Sequence, residues 1–188
     1  MLFAERGGDM IDIAFHPLFP LDMGPLHYFS VLGRALFTAQ HLEMNCRAIA
    51  CFLRMREQSI LHGSSVIEDP AFLSGMDQLW RRTLGQHVSG LSELCVLSPA
   101  VIPVFKAAVQ ARNEIAHDVA MDVSERLDSE VDERIAHVLE LVRKIAEADK
   151  IASAIVHLVN KDPLPLTEFF DSYEDRVTAW VSENTFED

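Results

Sequence analysis

The sequence predicts an all-α protein: an up-and-down bundle of four main helices, with an irregular N-terminal arm and a short C-terminal helix. Three observations point there. Apolar residues recur every three or four positions through two long proline-free stretches, 26–61 and 131–161. Asp69-Pro70 and Ser98-Pro99 each set a capping side chain before a proline suited to a first helical turn. Nowhere do strand-like runs alternate with helices, as a parallel sheet would require.

Residues 1–25 carry Pro17, Pro20 and Pro25 with Gly7, Gly8 and Gly24. They read as an arm anchored by Ile11, Ile13, Phe15 and Phe19, with a short strand over 11–15. The first helix begins at Leu26, and its stripe runs through Phe29, Leu32, Leu36, Ala39, Glu43, Cys46, Ala50 and Leu53. A second helix opens at Asp69-Pro70, with Gly85 and Gly90 as the residues expected to divide it. A third runs from Ser98-Pro99 through Ile102, Phe105 and Val109 to about His117. A fourth carries Val131, Ile135, Val138, Val142, Ile145 and Ile155 and stops near Lys161, before Pro163 and Pro165. A terminal helix then holds Phe169, Phe170, Val177 and Trp180. The domain layout is thus an arm (1–25), a bundle (26–161) and a short acidic C-terminal helix packed on it (162–188). Met44, Met55 and Met76 read as core filler, and Trp80 and Trp180 as packing anchors.

The 188 residues carry a net charge of −13, which argues against a broad basic surface for duplex DNA or an anionic membrane. The charge is uneven: residues 1–110 sum to −2 and the last 78 to −11. Cys46, Cys51 and Cys95 form no metal-ligand spacing, so no metal or cofactor is expected, and their small odd number fits a reducing cytoplasm. No apolar run approaches the roughly 20 residues that span a bilayer. Arg6, followed by Gly7, Gly8 and Asp9, does not read as a secretory leader. Phosphate-binding loops, GxSxG elbows and HExxH zinc motifs are missing from the sequence.

One segment concentrates chemistry: Ala111-Arg112-Asn113-Glu114-Ile115-Ala116-His117-Asp118. Arg112 offers a planar fork of donors for phosphate oxygens, and His117 can move a proton near neutral pH. Those are the parts needed to cleave RNA through its own 2′-hydroxyl. Spacing alone does not select this pair. Similar Arg–His spacings stand at Arg34/His41, Arg56/His62 and Arg82/His87, and chance supplies about 1.5 of them.

Context selects it. Arg112-Asn113-x-x-Ala116-His117 resembles the Arg-x4–6-His motif of the HEPN superfamily, in which Asn often follows the Arg. That family is a bundle of four to five helices with its motif at the end of the third core helix. The resemblance covers about residues 26–160 in architecture and six to eight residues in detail. It implies a metal-independent endoribonuclease, of the toxin or antiviral kind, whose site is completed across a homodimer. In those terms Arg112 stabilises the scissile phosphate and His117 acts as base or acid. Asn113, four residues before His117 on one face of a continuing helix, orients substrate or ring, and Asp118 fixes the imidazole. Short exposed RNA and a cognate antitoxin or other protein are the implied partners.

Glu43 enters independently. It is the only charge on the first stripe, as Arg112 is on the stripe 102, 105, 109, 112. Two opposite charges on core-facing stripes are expected to meet, since an unpaired buried charge costs several kcal/mol. The expected role of Glu43 is to hold the guanidinium in place; the plainer reading is an interhelix ion pair with no chemistry. The alternative for the whole chain is a non-catalytic interaction or regulatory module of the same fold. In it, His117 merely caps helical carbonyls and the acidic C-terminal third receives a basic partner.

Overall fold

A computed structural model describes residues 23–62, 69–94, 96–119 and 131–183. Residues 1–22 of the expected arm with its strand, Cys95 and most of the connection before residue 131 lie outside the described residues, and residues 23–25 of that arm already belong to the first helix, three positions ahead of the expected Leu26. Among the described residues the structure is helical and holds no strand. Its elements are α1 (Met23–His62), α2 (Pro70–Trp80), α3 (Leu84–Glu93), α4 (Ile102–Asn113), a π-helical turn (Glu114–Val119), α5 (Val131–Asn160), α6 (Thr167–Asp171) and α7 (Tyr173–Ser182).

The long helices α1 and α5 share the largest packed surface; α4 and α7 lie against α5, and α3 against α1. Tyr28, Leu42, Ile49, Phe105, Ile115 and Ile145 are fully buried between them. Each such side chain contributes about 1.5–3 kcal/mol of apolar burial. No helix among the described residues is long and apolar enough to cross a membrane.

The buried face of α1 runs through Tyr28, Val31, Leu32, Ala35, Ala39, Leu42, Cys46 and Ile49; Leu32, Ala39 and Cys46 belong to the expected stripe, while Tyr28, Ala35, Leu42 and Ile49 take the places expected of Phe29, Leu36, Glu43 and Ala50, one residue earlier. On α4 the fully buried positions are Phe105, Ala108 and Ala111, again shifted. Glu43 and Arg112 therefore stand on the flanks of their stripes rather than in the core. The same shift turns Met44 outward, to 61 % exposure, and Met55 is exposed as well, so neither fills the core. Trp80 and Trp180 are also exposed, and each lies under a guanidinium, Arg47 and Arg34 respectively.

Helix ends follow side-chain chemistry. Asp69 Oδ1 accepts from the Ala71 N–H at 2.9 Å, with Pro70 next in line. The break between α2 and α3 falls at Arg81–Thr83, before either glycine. It is set by a capping box: the Thr83 N–H donates to Gln86 Oε1 at 2.9 Å, and the Gln86 N–H donates to Thr83 Oγ1 at 3.4 Å. Ser98 does not cap α4. Its carbonyl closes a turn by accepting from Val101 and Ile102, and Pro103 occupies the helix's first turn. At the end of α5, Lys161 takes a left-handed φ of 61°. Its N–H donates to the Leu158 carbonyl and that of Asp162 to the His157 carbonyl, the two bonds of a Schellman cap. The expected single terminal helix is two, α6 and α7, divided at Ser172.

Candidate functional site

The Arg112–His117 segment begins on α4 and finishes on the π-helical turn. Two contacts fix that turn. Ile115 is wholly buried in the core, and the Tyr28 hydroxyl donates to the Val119 carbonyl at 3.4 Å. On its outer side, His137 Nε2 of α5 lies 2.6 Å from Glu114 Oε1. The change of winding matters for the pair. In a regular α-helix, residues five apart point about 140° away from each other. An i→i+5 winding narrows the angle between residues five apart. Asn113, by contrast, loses the four-residue alignment with His117 expected of a continuing α-helix.

Arg112 is partly exposed and touches two oxygens. Nη1 donates to Asn113 Oδ1 at 3.3 Å, and Nη2 lies 3.9 Å from Glu43 Oε2. The latter is an ion pair without hydrogen-bond geometry. The other Glu43 oxygen accepts from Arg47 Nη2 at 2.9 Å, and the Arg47 guanidinium sits 4.8 Å from the centre of the Trp80 ring. Glu43 thus ties two guanidinium groups to α1, one of them on α4. Asn113 and His117 are exposed. The Asp118 side chain lies outside the described residues.

A second cluster escaped the sequence reading. Asp149 of α5, 1 % exposed, lies with its two oxygens 3.1 and 2.9 Å from His41 Nδ1. One of those oxygens accepts from Asn45 Nδ2 at 2.8 Å, and the other accepts a short hydrogen bond from the Tyr173 hydroxyl. Asn45 also donates to Ser153 Oγ. The hydrogen bond to Asp149 raises the His41 pKa above its ordinary value; burial opposes it and the carboxylate charge adds to it. Nearby, burial first and the Asp149 and Glu43 charges next push the Cys46 thiol up to about 12, so it stays protonated. The signal was present: Asp149 falls in line with Val138, Val142, Ile145 and Ala152, the one charge on the buried face of α5.

The remaining Arg–His pairs have separate fates. Arg34 donates to the carbonyls of Trp180 and Glu183 at 2.8 and 2.7 Å, holding the C-terminal end of α7. Arg56 is exposed, and the His62 side chain lies outside the described residues. Arg82 and His87 line one cleft. Among the described residues no cluster of His, Cys, Asp and Glu side chains could hold a metal ion. Comparisons with protein-family models, with curated proteins and with solved structures give no match for this chain.

Proposed function

We propose that this protein is a HEPN-like endoribonuclease that cuts short exposed RNA without a metal, using Arg112 and His117. What supports the reading is the placement of the segment: Arg112 ends α4 and His117 lies in the π-helical turn that follows, where i→i+5 winding sets residues five apart at a smaller angle than α-helical winding does. π-Helical turns recur at functional sites because they re-aim side chains at the cost of regular hydrogen bonding.

A base takes the proton of the 2′-hydroxyl, and the freed oxygen attacks the adjacent phosphorus. An acid protonates the departing 5′-oxygen. The products are a 2′,3′-cyclic phosphate and a 5′-hydroxyl. Arg112 offers two N–H groups to the oxygens on which charge builds. One imidazole cannot be base and acid in the same step, so the reading includes a homodimer in which a second copy supplies the other group. It also includes an up-and-down order of the main helices, a cytoplasmic setting and a cognate antitoxin or other protein partner. The −11 charge of the last 78 residues restricts the substrate to short exposed loops.

The test is RNA incubated with the full chain and excess chelator. Cleavage by the wild type, reduced about 100-fold or more by His117→Ala, is the expected result. No cutting by either protein overturns the reading. The second reading, a non-catalytic module, is favoured by the engagement of Arg112 with Glu43 and Asn113. It predicts no cleavage under any condition.

A further inference from the structure

A cleft of about 690 Å³ opens between the C-terminal half of α1 and the helices α2 and α3. That volume lies within the range of sites for small organic ligands. It shares no residue with Arg112 or His117. Leu53, Leu79 and Leu91 supply apolar wall. Its polar groups are unequally satisfied. Arg54 is paired with Glu57 at 2.9 Å. Arg82 has no ion-pair partner among the described residues, and its Nη1 lies 3.8 Å from where a Cβ on Gly90 would stand. The missing side chain at Gly90 leaves room for the guanidinium against α3.

His87 is the unusual member. It is 1 % exposed, yet neither ring nitrogen has a hydrogen-bond partner among the described residues. The Arg82 main chain approaches the ring closely enough to favour its protonated form, but no bond of acceptable geometry results. Burial outweighs this and, with the Arg47 charge, keeps the ring below its ordinary pKa. A neutral imidazole retains one N–H that, among the described residues, makes no hydrogen bond of acceptable geometry. Leaving such a buried group unpaired is costly, and native structures normally satisfy it.

We propose that this cleft binds a small amphipathic carboxylate. Its apolar body lies on Leu53, Leu79 and Leu91, and its carboxylate sits between the Arg82 guanidinium and the free N–H of His87. One uncompensated guanidinium beside one neutral imidazole matches a single negative charge. A phosphate monoester would bring a second charge toward Glu57.

Calorimetric titration of the full chain with octanoate tests this. Octanoate binds saturably, and octan-1-ol and octyl phosphate bind at least about tenfold more weakly. Arg82→Gln removes the cation from an exposed position and weakens octanoate about tenfold. Gly75→Leu is a second variant, independent of charge. Gly75 lines the cleft, and a Cβ there meets nothing within 4 Å, so a larger side chain can start there without a backbone clash and take up cleft space. It weakens octanoate to a similar degree. The proposal is overturned if wild-type protein shows no saturable octanoate binding, or if octanol or octyl phosphate binds as tightly. Unchanged octanoate affinity in both variants also overturns it. Failure of RNA cleavage leaves this site untouched.

Discussion

Glu43 on α1 and Arg112 on α4 meet at 3.9 Å, and the carboxylate is shared with Arg47. The pair is only partly buried, Glu43 at 19 % and Arg112 at 34 % side-chain exposure. Solvent at that boundary keeps its contribution to folding small, about 1 kcal/mol or less. Its stronger effect is on position, since a guanidinium on a flexible stem gains a fixed direction from a carboxylate on the neighbouring helix.

Glu43→Gln is therefore expected to lower thermal stability by less than about 1 kcal/mol. It should reduce RNA cleavage about tenfold or more. Exchanging the charges in a Glu43→Arg, Arg112→Glu double variant should recover only part of the melting temperature, because the Glu43–Arg47 pair is also lost, and none of the cleavage. Melting curves and cleavage rates on the same samples separate the two effects. Full recovery of both would make the pair purely structural.

The Asp149 carboxylate joins α1, α5 and α7 through His41, Asn45 and Tyr173. Asp149→Ala removes the acceptor of all three; His41 is half exposed and Asn45 keeps Ser153, so the cost falls chiefly on the partly buried Tyr173 hydroxyl and on the hole left at a fully buried position. A loss of about 1–3 kcal/mol is expected in denaturant titration. A loss near zero would mean that water reaches the cluster freely.

The same cluster gives a pH dependence of known sign. Folding raises the His41 pKa above its ordinary value of 6.5, chiefly through the hydrogen bond to Asp149. The folded state therefore binds the proton more tightly than the unfolded one. This stabilisation is fully present below the unfolded value and is lost as pH rises through the folded one. Wild-type protein should be more resistant to urea at pH 6 than at pH 9, and His41→Gln should flatten that difference. An unchanged slope in the variant would assign the pH effect to other groups.

Lys161 occupies the left-handed position that ends α5, where a Cβ costs about 1–2 kcal/mol. Lys161→Gly removes that cost and returns part of it as unfolded-chain entropy. The net expectation is about 0.5–1 kcal/mol of added stability, a rise in Tm of about 2–4 °C. A fall in Tm would show that the lysine side chain makes a stabilising contact larger than its backbone strain.

Local chemistry made much of the helical framework legible. Asp69-Pro70 opens α2 as its residue types dictate, and the proline-free apolar periodicity marks α1 and α5. Other features depend on details that periodicity averages out. A stripe repeating every three or four residues leaves its centre uncertain by one position, enough to move Glu43 and Arg112 from core to flank. The division at Thr83 was written as a Thr-x-x-Gln capping box, but the nearby glycines are the louder signal. The π-helical turn has no side-chain signature of its own; it follows from burying Ile115 and bonding Val119 to Tyr28. Asp149 was readable by the same single-charge-on-a-stripe test that picked out Glu43. Its partners His41, Asn45 and Tyr173 come from two other helices and required the fold.

The most direct measurement is the chemistry of the ends left on RNA cut by wild-type protein in excess chelator. The proposed attack by the 2′-hydroxyl, with Arg112 on the phosphate and His117 moving a proton, would leave a 2′,3′-cyclic phosphate and a 5′-hydroxyl, and His117→Ala would reduce both about 100-fold or more. Products ending in a 3′-hydroxyl and a 5′-phosphate, or intact RNA throughout, would contradict it.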